Sequence, residues 1–133
     1  MARQTDIKKS KLDIDIWGPH AWTFLHAVTF TYPEMPCQEQ KEHYYRFFKS
    51  ISHVLPCAIC AKHFQRHMAH VTGPSHDIFK NKNILSKWLV DIHNEVNFSN
   101  GKKKMSYPTV AEQYRPPNSK NLFLTLRTSE FLP

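Results

Sequence analysis

An all-α fold is what this 133-residue sequence predicts, and three observations carry the prediction. Apolar residues recur at intervals of three and four in successive stretches, the period of helices buried on one face. No segment alternates apolar and polar residues in the period-two manner of a half-buried strand. The connections between the four amphipathic stretches are short, which favours a compact bundle. At 41% hydrophobic and 13% aromatic residues, the chain suffices for one domain with a ring-rich core. The expected organisation is a flexible basic segment over 1–12, one domain over 13–115 and a tail over 116–133.

The first helix is expected from Ile16 to Tyr32, with Trp17, Ala21, Phe24, Leu25 and Val28 on its apolar positions and Asp13 or Asp15 as N-cap. Tyr32-Pro33-Glu34-Met35-Pro36 breaks it. A second, strongly aromatic stripe runs through Tyr44, Phe47, Phe48, Ile51, Val54 and Leu55 to Pro56; it can serve the core or a subunit face. Pro56 suits the first turn of a third helix. That helix carries Cys57, Cys60, Phe64 and Met68 on one stripe and ends near Gly73-Pro74. The fourth shows Ile84, Leu85, Trp88, Leu89, Ile92 and Val96, with Gly101 as its stop. A short fifth helix is expected over 107–114, opened by Pro108 and closed by Arg115-Pro116-Pro117.

Composition excludes several classes of function. The net charge is +7 from 18 Lys+Arg against 11 Asp+Glu. The basic residues are scattered apart from Lys8-Lys9-Ser10-Lys11 and Lys102-Lys103-Lys104, so a basic solvated surface is expected and nucleic acid is not the expected partner. With only three glycines there is no Gly-rich phosphate loop. No apolar run approaches the roughly 20 residues of a membrane span, and the N-terminus lacks the apolar stretch of a secretory signal. These features predict a protein made in the cytosol. Three cysteines leave one over, which argues against a disulfide framework.

The chemistry-bearing residues lie on the third and fourth helices. Cys57-Ala58-Ile59-Cys60 opens a helix, where unpaired N–H groups and the macrodipole favour a thiolate. Two intervening residues let the sulfurs close a small ring that can open without unfolding, as disulfide exchange requires. A thioredoxin-like reading needs a βαβ pattern, and none is visible. His63 and His67 extend the series toward a zinc motif, but on one helix Cys57 and His67 lie roughly 15 Å apart along the axis. Ligands at about 2.0–2.3 Å cannot span that distance, so no metal is expected and both histidines are placed at the surface. Two inert core cysteines remain an open alternative. On the fourth helix His93, Asn94 and Asn97 flank the apolar face beside Trp88, as donors and acceptors for a planar heterocycle would. Lys102, Lys103 and Lys104 follow as possible phosphate contacts.

Taken in order, Trp17-Gly18-x3-Trp22-x3-His26, Tyr32-Pro33, Pro56-Cys57-x-x-Cys60, Trp88-x4-His93-Asn94-Glu95-Val96-Asn97 and Gly101-Lys102 resemble the Erv/ALR family of FAD-linked sulfhydryl oxidases from Trp17 to Tyr114. The resemblance implies a four-helix bundle with a short fifth helix, FAD held between the helices, and a homodimer built from the first two helices. It implies that Cys57 is the interchange thiol and Cys60 the flavin-proximal one. Gly18, Trp22, His26, Tyr32, His93, Asn94, Asn97, Lys102 and Tyr114 would form the FAD site. The implied reaction takes electrons from a protein dithiol, or a thioredoxin- or glutaredoxin-like carrier, through the Cys57–Cys60 disulfide and FAD to O2, giving hydrogen peroxide. A second disulfide common in cellular members would fall at Val90 and Tyr107, so both partners are missing. A chain so reduced resembles the short enzymes of large DNA viruses, with the host cytoplasm or virion as its setting; a cellular form would belong to the mitochondrial intermembrane space. Cys37 lies outside the motif and is expected to be a free thiol. The alternative function is a non-enzymatic helical adaptor whose C-x-x-C is structural or metal-binding.

Overall fold

Residues 9–116 are described by a computed structural model, which places every regular element in a helix. In chain order these are α1 (Ile14–Phe30), α2 (Gln38–Val54), α3 (Ala58–Met68), a 3-10 turn (Asp77–Phe79), α4 (Lys82–Ser99) and the short α5 (Tyr107–Gln113). The expected all-α bundle with a fifth helix is therefore the observed fold. The tail after residue 116 and residues 1–8 lie outside the described residues.

Each helix begins for a local chemical reason. Asp13 caps α1 by accepting from the Asp15 N–H at 2.9 Å, and Asn81 caps α4 by accepting from Ile84 at 3.0 Å. Ser106 caps α5 from the same position relative to Thr109. Cys37 opens α2, with the Gln40 side chain reaching back to its N–H at 2.9 Å. The start of α3 differs from expectation. Cys57, not Asp, Ser or Thr, is its N-cap, and Pro56 stands one residue outside rather than in the first turn. α3 also ends at Met68, short of Gly73. After it the bonds shorten to the i→i−3 type, His70 to His67 and Val71 to Met68, which tightens the chain while still burying Val71.

The centre of the bundle is α4. It packs against α1, α3, α5 and the 3-10 turn, while α2 packs chiefly against α3. Phe48, Phe64, Phe79, Leu85, Leu89 and Ile92 are fully enclosed, each worth about 1.5–3 kcal/mol of apolar burial. The aromatic stripe of α2 serves this core: Phe48 meets Trp88 edge-on at 5.2 Å, and Tyr44 meets Tyr32 at 4.6 Å. α5 is held by Tyr107, whose hydroxyl shares a 2.7 Å hydrogen bond with Ser86 of α4. Where the resemblance puts a second disulfide, an ordinary hydrogen bond links the same two elements.

Candidate functional site

The face of α1 that carries Asp15, Gly18, Trp22 and His26 turns toward α4 and α5, and between them lies a cavity of about 610 Å3. Such a volume falls within the roughly 300–1,000 Å3 of cofactor and small-molecule sites. Gly18, Trp22, His26, His93, Asn97, Lys102 and Tyr114 all line it. Seven of the nine residues named from the sequence as a cofactor site thus come together from four separate segments.

Two do not. Tyr32 is 1% exposed and belongs to the core below, where its hydroxyl donates to the Phe79 carbonyl at 2.7 Å. Burial, with lesser contributions from Tyr44 and Cys37, pushes its phenol up to about 12. Asn94 is on the same helix as His93 but faces another way. Its amide donates to the Met105 carbonyl at 2.8 Å and its oxygen accepts from the Met105 N–H at 2.8 Å, so the side chain is spent on the backbone. Asn94 acts through the segment it holds, since Lys102, Lys103 and Met105 form one wall.

That wall is aimed by the end of α4. Gly101 adopts φ 69, the left-handed conformation glycine adopts without a Cβ penalty. The Lys102 N–H reaches back to the Asn97 carbonyl at 2.8 Å, and the Gly101 N–H to Phe98 at 3.1 Å. This pair of bonds reverses the chain at the helix end and returns both lysines to the cavity. On the opposite wall, Pro19 sits inside α1 and has no N–H to offer the Asp15 carbonyl.

The floor of the cavity is a stack of rings. Trp22 lies on His93 at 3.9 Å and 5°. Tyr114 lies 5.6 Å from His26 and stacks on Phe30 at 5.1 Å. His26 Nε2 and His93 Nδ1 share a 2.8 Å hydrogen bond, so one ring donates and the other accepts. Burial lowers both imidazoles to about 4, with His26 and Lys102 adding to the effect at His93, and both are neutral near pH 7. His26 Nδ1 is buried and has no partner. A buried polar atom without a partner costs about 1–3 kcal/mol. At the edge of a ring-lined cavity with two lysines, it fits a site built for a planar, anionic heterocycle such as a flavin nucleotide.

The dithiol stands apart from the cavity lining. Cys57 and Cys60 are free thiols, the first half-exposed and the second buried. The Cys60 N–H donates to Cys57 Sγ at 3.3 Å. The expected thiolate at the helix start is not what Cys60 shows: burial first, then the Cys57 sulfur beside it, pushes its thiol up to about 12. Desolvation outweighs the macrodipole there. One turn along α3, Phe64 stacks on Trp22 at 5.8 Å. A continuous run of rings therefore leads from the turn after Cys60 through Phe64 and Trp22 to His93. Phe64 appeared in the sequence only as a core position; its i+4 spacing from Cys60 was the available signal.

His63 and His67 are not the free surface residues expected. Glu95 accepts from His67 and from Arg66, each at 2.8 Å, and lies 3.4 Å from His63. The cluster ties α3 to α4. Among the described residues no group of three or more His, Cys, Asp or Glu is arranged to hold a metal.

Residues 19–115 match a family model described as the Erv1/Alr family. A mimivirus protein (Acanthamoeba polyphaga mimivirus), named as a probable FAD-linked sulfhydryl oxidase, is 41% identical over 96 residues, covering 72% of this chain and 66% of that one. The mitochondrial FAD-linked sulfhydryl oxidase ERV1 of Saccharomyces cerevisiae is 33% identical over 64% of this chain. The match spans only 43% of the yeast protein. Among solved structures, the crystal structure of the yeast Erv1 core superposes with a TM-score of 0.71 at 26% identity, covering 88% of this chain and 96% of that one. The FAD binding domain of yeast Erv1 gives 0.68 at 28% identity, covering 77% and 93%.

Proposed function

The chain belongs to the Erv1/Alr family, and from that premise we propose that it is an FAD-dependent sulfhydryl oxidase that makes disulfides in protein dithiols. The observation that carries this reading is the unequal exposure of the two cysteines. Cys57 is half-exposed, whereas Cys60 is 4% exposed and stands one turn from the ring stack that leads to the cavity.

The outer cysteine can meet a client; the inner one cannot. A client thiolate attacks Cys57 Sγ of the Cys57–Cys60 disulfide. The bond between the two cysteines breaks, a mixed disulfide with Cys57 forms, and the Cys60 sulfur leaves. The second client thiolate then attacks the client sulfur of that mixed disulfide and releases Cys57. The client has lost two electrons and the Cys57–Cys60 pair has gained them. The Cys60 sulfur leaves as a thiolate and, because burial favours its thiol form, takes up a proton, one of those the client thiols gave up, in the reduced resting pair.

Trp22, His26, His93 and Tyr114 would hold the cofactor's rings, and Lys102 and Lys103 its phosphates, with Gly18 and Asn97 completing the walls. The chemistry FAD supplies there is two-electron acceptance from the reduced dithiol, with O2 as terminal oxidant and hydrogen peroxide as product. Burial keeps the His26 and His93 rings neutral, their shared hydrogen bond makes one the donor and the other the acceptor, and Trp22 stacks on His93. Exposed Phe24 and Ile16 on α1 support a homodimer through that helix. No helix among the described residues is long and apolar enough to cross a membrane, and the mimivirus relative supports a viral type acting in host cytoplasm or virion, through a protein dithiol or thioredoxin-like carrier.

The test begins with the purified protein. It should be yellow, release FAD on denaturation and oxidise dithiothreitol with stoichiometric peroxide. Cys57→Ser and Cys60→Ser should each lower turnover by at least about 10^3-fold, as removal of a nucleophile does. With the exposed Cys37 replaced by Ser in both variants, a client cysteine activated as its nitrothiobenzoate disulfide should be captured by Cys60→Ser, which keeps Cys57, and not by Cys57→Ser. A colourless protein with unreactive thiols would instead support the adaptor reading, and capture by the opposite variant would reverse the two roles.

A further inference from the structure

Cys57 is flanked in sequence by a collar of exposed apolar residues that no catalytic step uses. Val54 is 71% exposed and Ile59 is 54% exposed, and Pro56 and Ala58 between them are exposed as well. From Val54 to Ala61 the chain has no charged side chain. Across the corner, Gln65 of α3 donates to the Ser52 carbonyl in the last turn of α2 at 2.9 Å. Val54 and Ile59 are thus exposed on either side of the half-exposed Cys57 in sequence. Solvated apolar side chains on both sides of a reactive group mark a place where a partner's apolar residues are received.

The chain on either side of the collar carries one sign of charge. Between Glu42 and Asp77 the sequence contains no acidic residue, but it contains Arg46, Lys49, Lys62, Arg66 and five histidines after His43. Of these, Arg46 is paired with Glu42 and Arg66 with Glu95 of α4, which also accepts from His67 and faces His63. Lys49 and Lys62 stay exposed and are the cations nearest the collar in sequence.

We propose that the surface around Cys57 selects its substrate class: an extended protein segment with apolar residues next to the reacting cysteine and acidic residues further out. The proposal rests on Cys57 being the interchange thiol. A client sulfur that approaches Cys57 brings its neighbouring residues onto Val54 and Ile59, and its flanks into the field of Lys49 and Lys62. Complementary charge raises the encounter rate, by about 10-fold or more at low salt.

The experiment uses the whole protein and three synthetic peptides with one cysteine spacing. One has Leu and Val beside the cysteines and Glu outside; the second replaces Glu by Lys; the third replaces Leu and Val by Ser. The first should show kcat/KM about 10-fold above the second at low salt, with the gap closing as salt rises, and several-fold above the third at any salt. Val54→Asp should lower kcat/KM for the first peptide several-fold and leave dithiothreitol oxidation unchanged. Val54→Lys, which keeps the sign of the field, should lose less. A Ser-for-Cys version of each peptide, labelled for fluorescence anisotropy, reads docking without any turnover. Equal binding of all three versions, or binding indifferent to Val54→Asp, would overturn the proposal. Absence of dithiothreitol oxidation by the unaltered protein would count against the oxidase reading alone, because the anisotropy ranking does not depend on it.

Discussion

Two regions of this bundle handle polar groups in opposite ways. At the cavity, His26 is 3% exposed, two imidazoles share one hydrogen bond, and burial keeps both neutral. At the α2–α3 corner Cys57 is half-exposed, apolar neighbours face water and the free cations are unpaired by any carboxylate on their own helices. A ligand held through many turnovers is served by walls already desolvated and fixed before it arrives. A client that must leave after each exchange is served by an open edge. The ring run Phe64–Trp22–His93 is the physical link between the two.

The sharpest way to break this contrast is acid. Both imidazoles stand near 4 in the folded chain and near 6.5 when unfolded. Between those values the unfolded chain binds more protons, so stability is complete above about pH 6.5 and falls as pH drops toward 4. Each ring contributes up to about 3 kcal/mol to that loss. Urea unfolding at pH 7, 6, 5 and 4.5 should show the decline, and His26→Gln together with His93→Gln should flatten it. Cys57→Ser should leave the slope as it was. A slope that survives loss of both histidines would place the acid-sensitive groups elsewhere.

The parts of the molecule legible in the sequence were those written in helical period and in end chemistry. Asp13, Gly101 and the stripe Leu85, Leu89, Ile92, Val96 mark their elements without help from tertiary structure. Seven of the proposed cofactor-site positions also meet at one cavity, because a face repeating every three or four residues on α1 must point one way. What stayed hidden depends on contacts distant in sequence. The 3-10 turn Asp77–Phe79 is three residues long and has no period to detect. Phe79 is nonetheless fully buried and supplies the carbonyl that claims Tyr32 for the core. Asn94 could not be separated from His93 and Asn97 by spacing, since its partner is the backbone of Met105. Cys57 as a helix cap, and the desolvation that holds Cys60 as a thiol, depend on packing around α3.

A middle-sized test concerns Asn94. Asn94→Ala removes both bonds to Met105 and should cost about 1–3 kcal/mol in urea unfolding. It should also raise FAD loss on dialysis, because Lys102 and Lys103 are carried by the freed segment. Asn94→Asp keeps the acceptor for the Met105 N–H and should fall between the two proteins. Full flavin retention in Asn94→Ala would show that the end of α4 aims the lysines alone.

The smallest effect is expected at Tyr32, and it fixes where the cavity stops. The Tyr32 ring meets Tyr44 edge-on at 4.6 Å and its hydroxyl donates to Phe79 at 2.7 Å. Tyr32→Phe keeps the ring contact and leaves one buried carbonyl without its donor. The cost should be about 1 kcal/mol of stability, with flavin content and dithiothreitol turnover unchanged. His93→Ala should do the reverse in kind, losing flavin while the helices persist. If Tyr32→Phe instead shed flavin at full stability, the cofactor site would extend beneath α1, and the division between a closed binding end and a separate core would have to be redrawn.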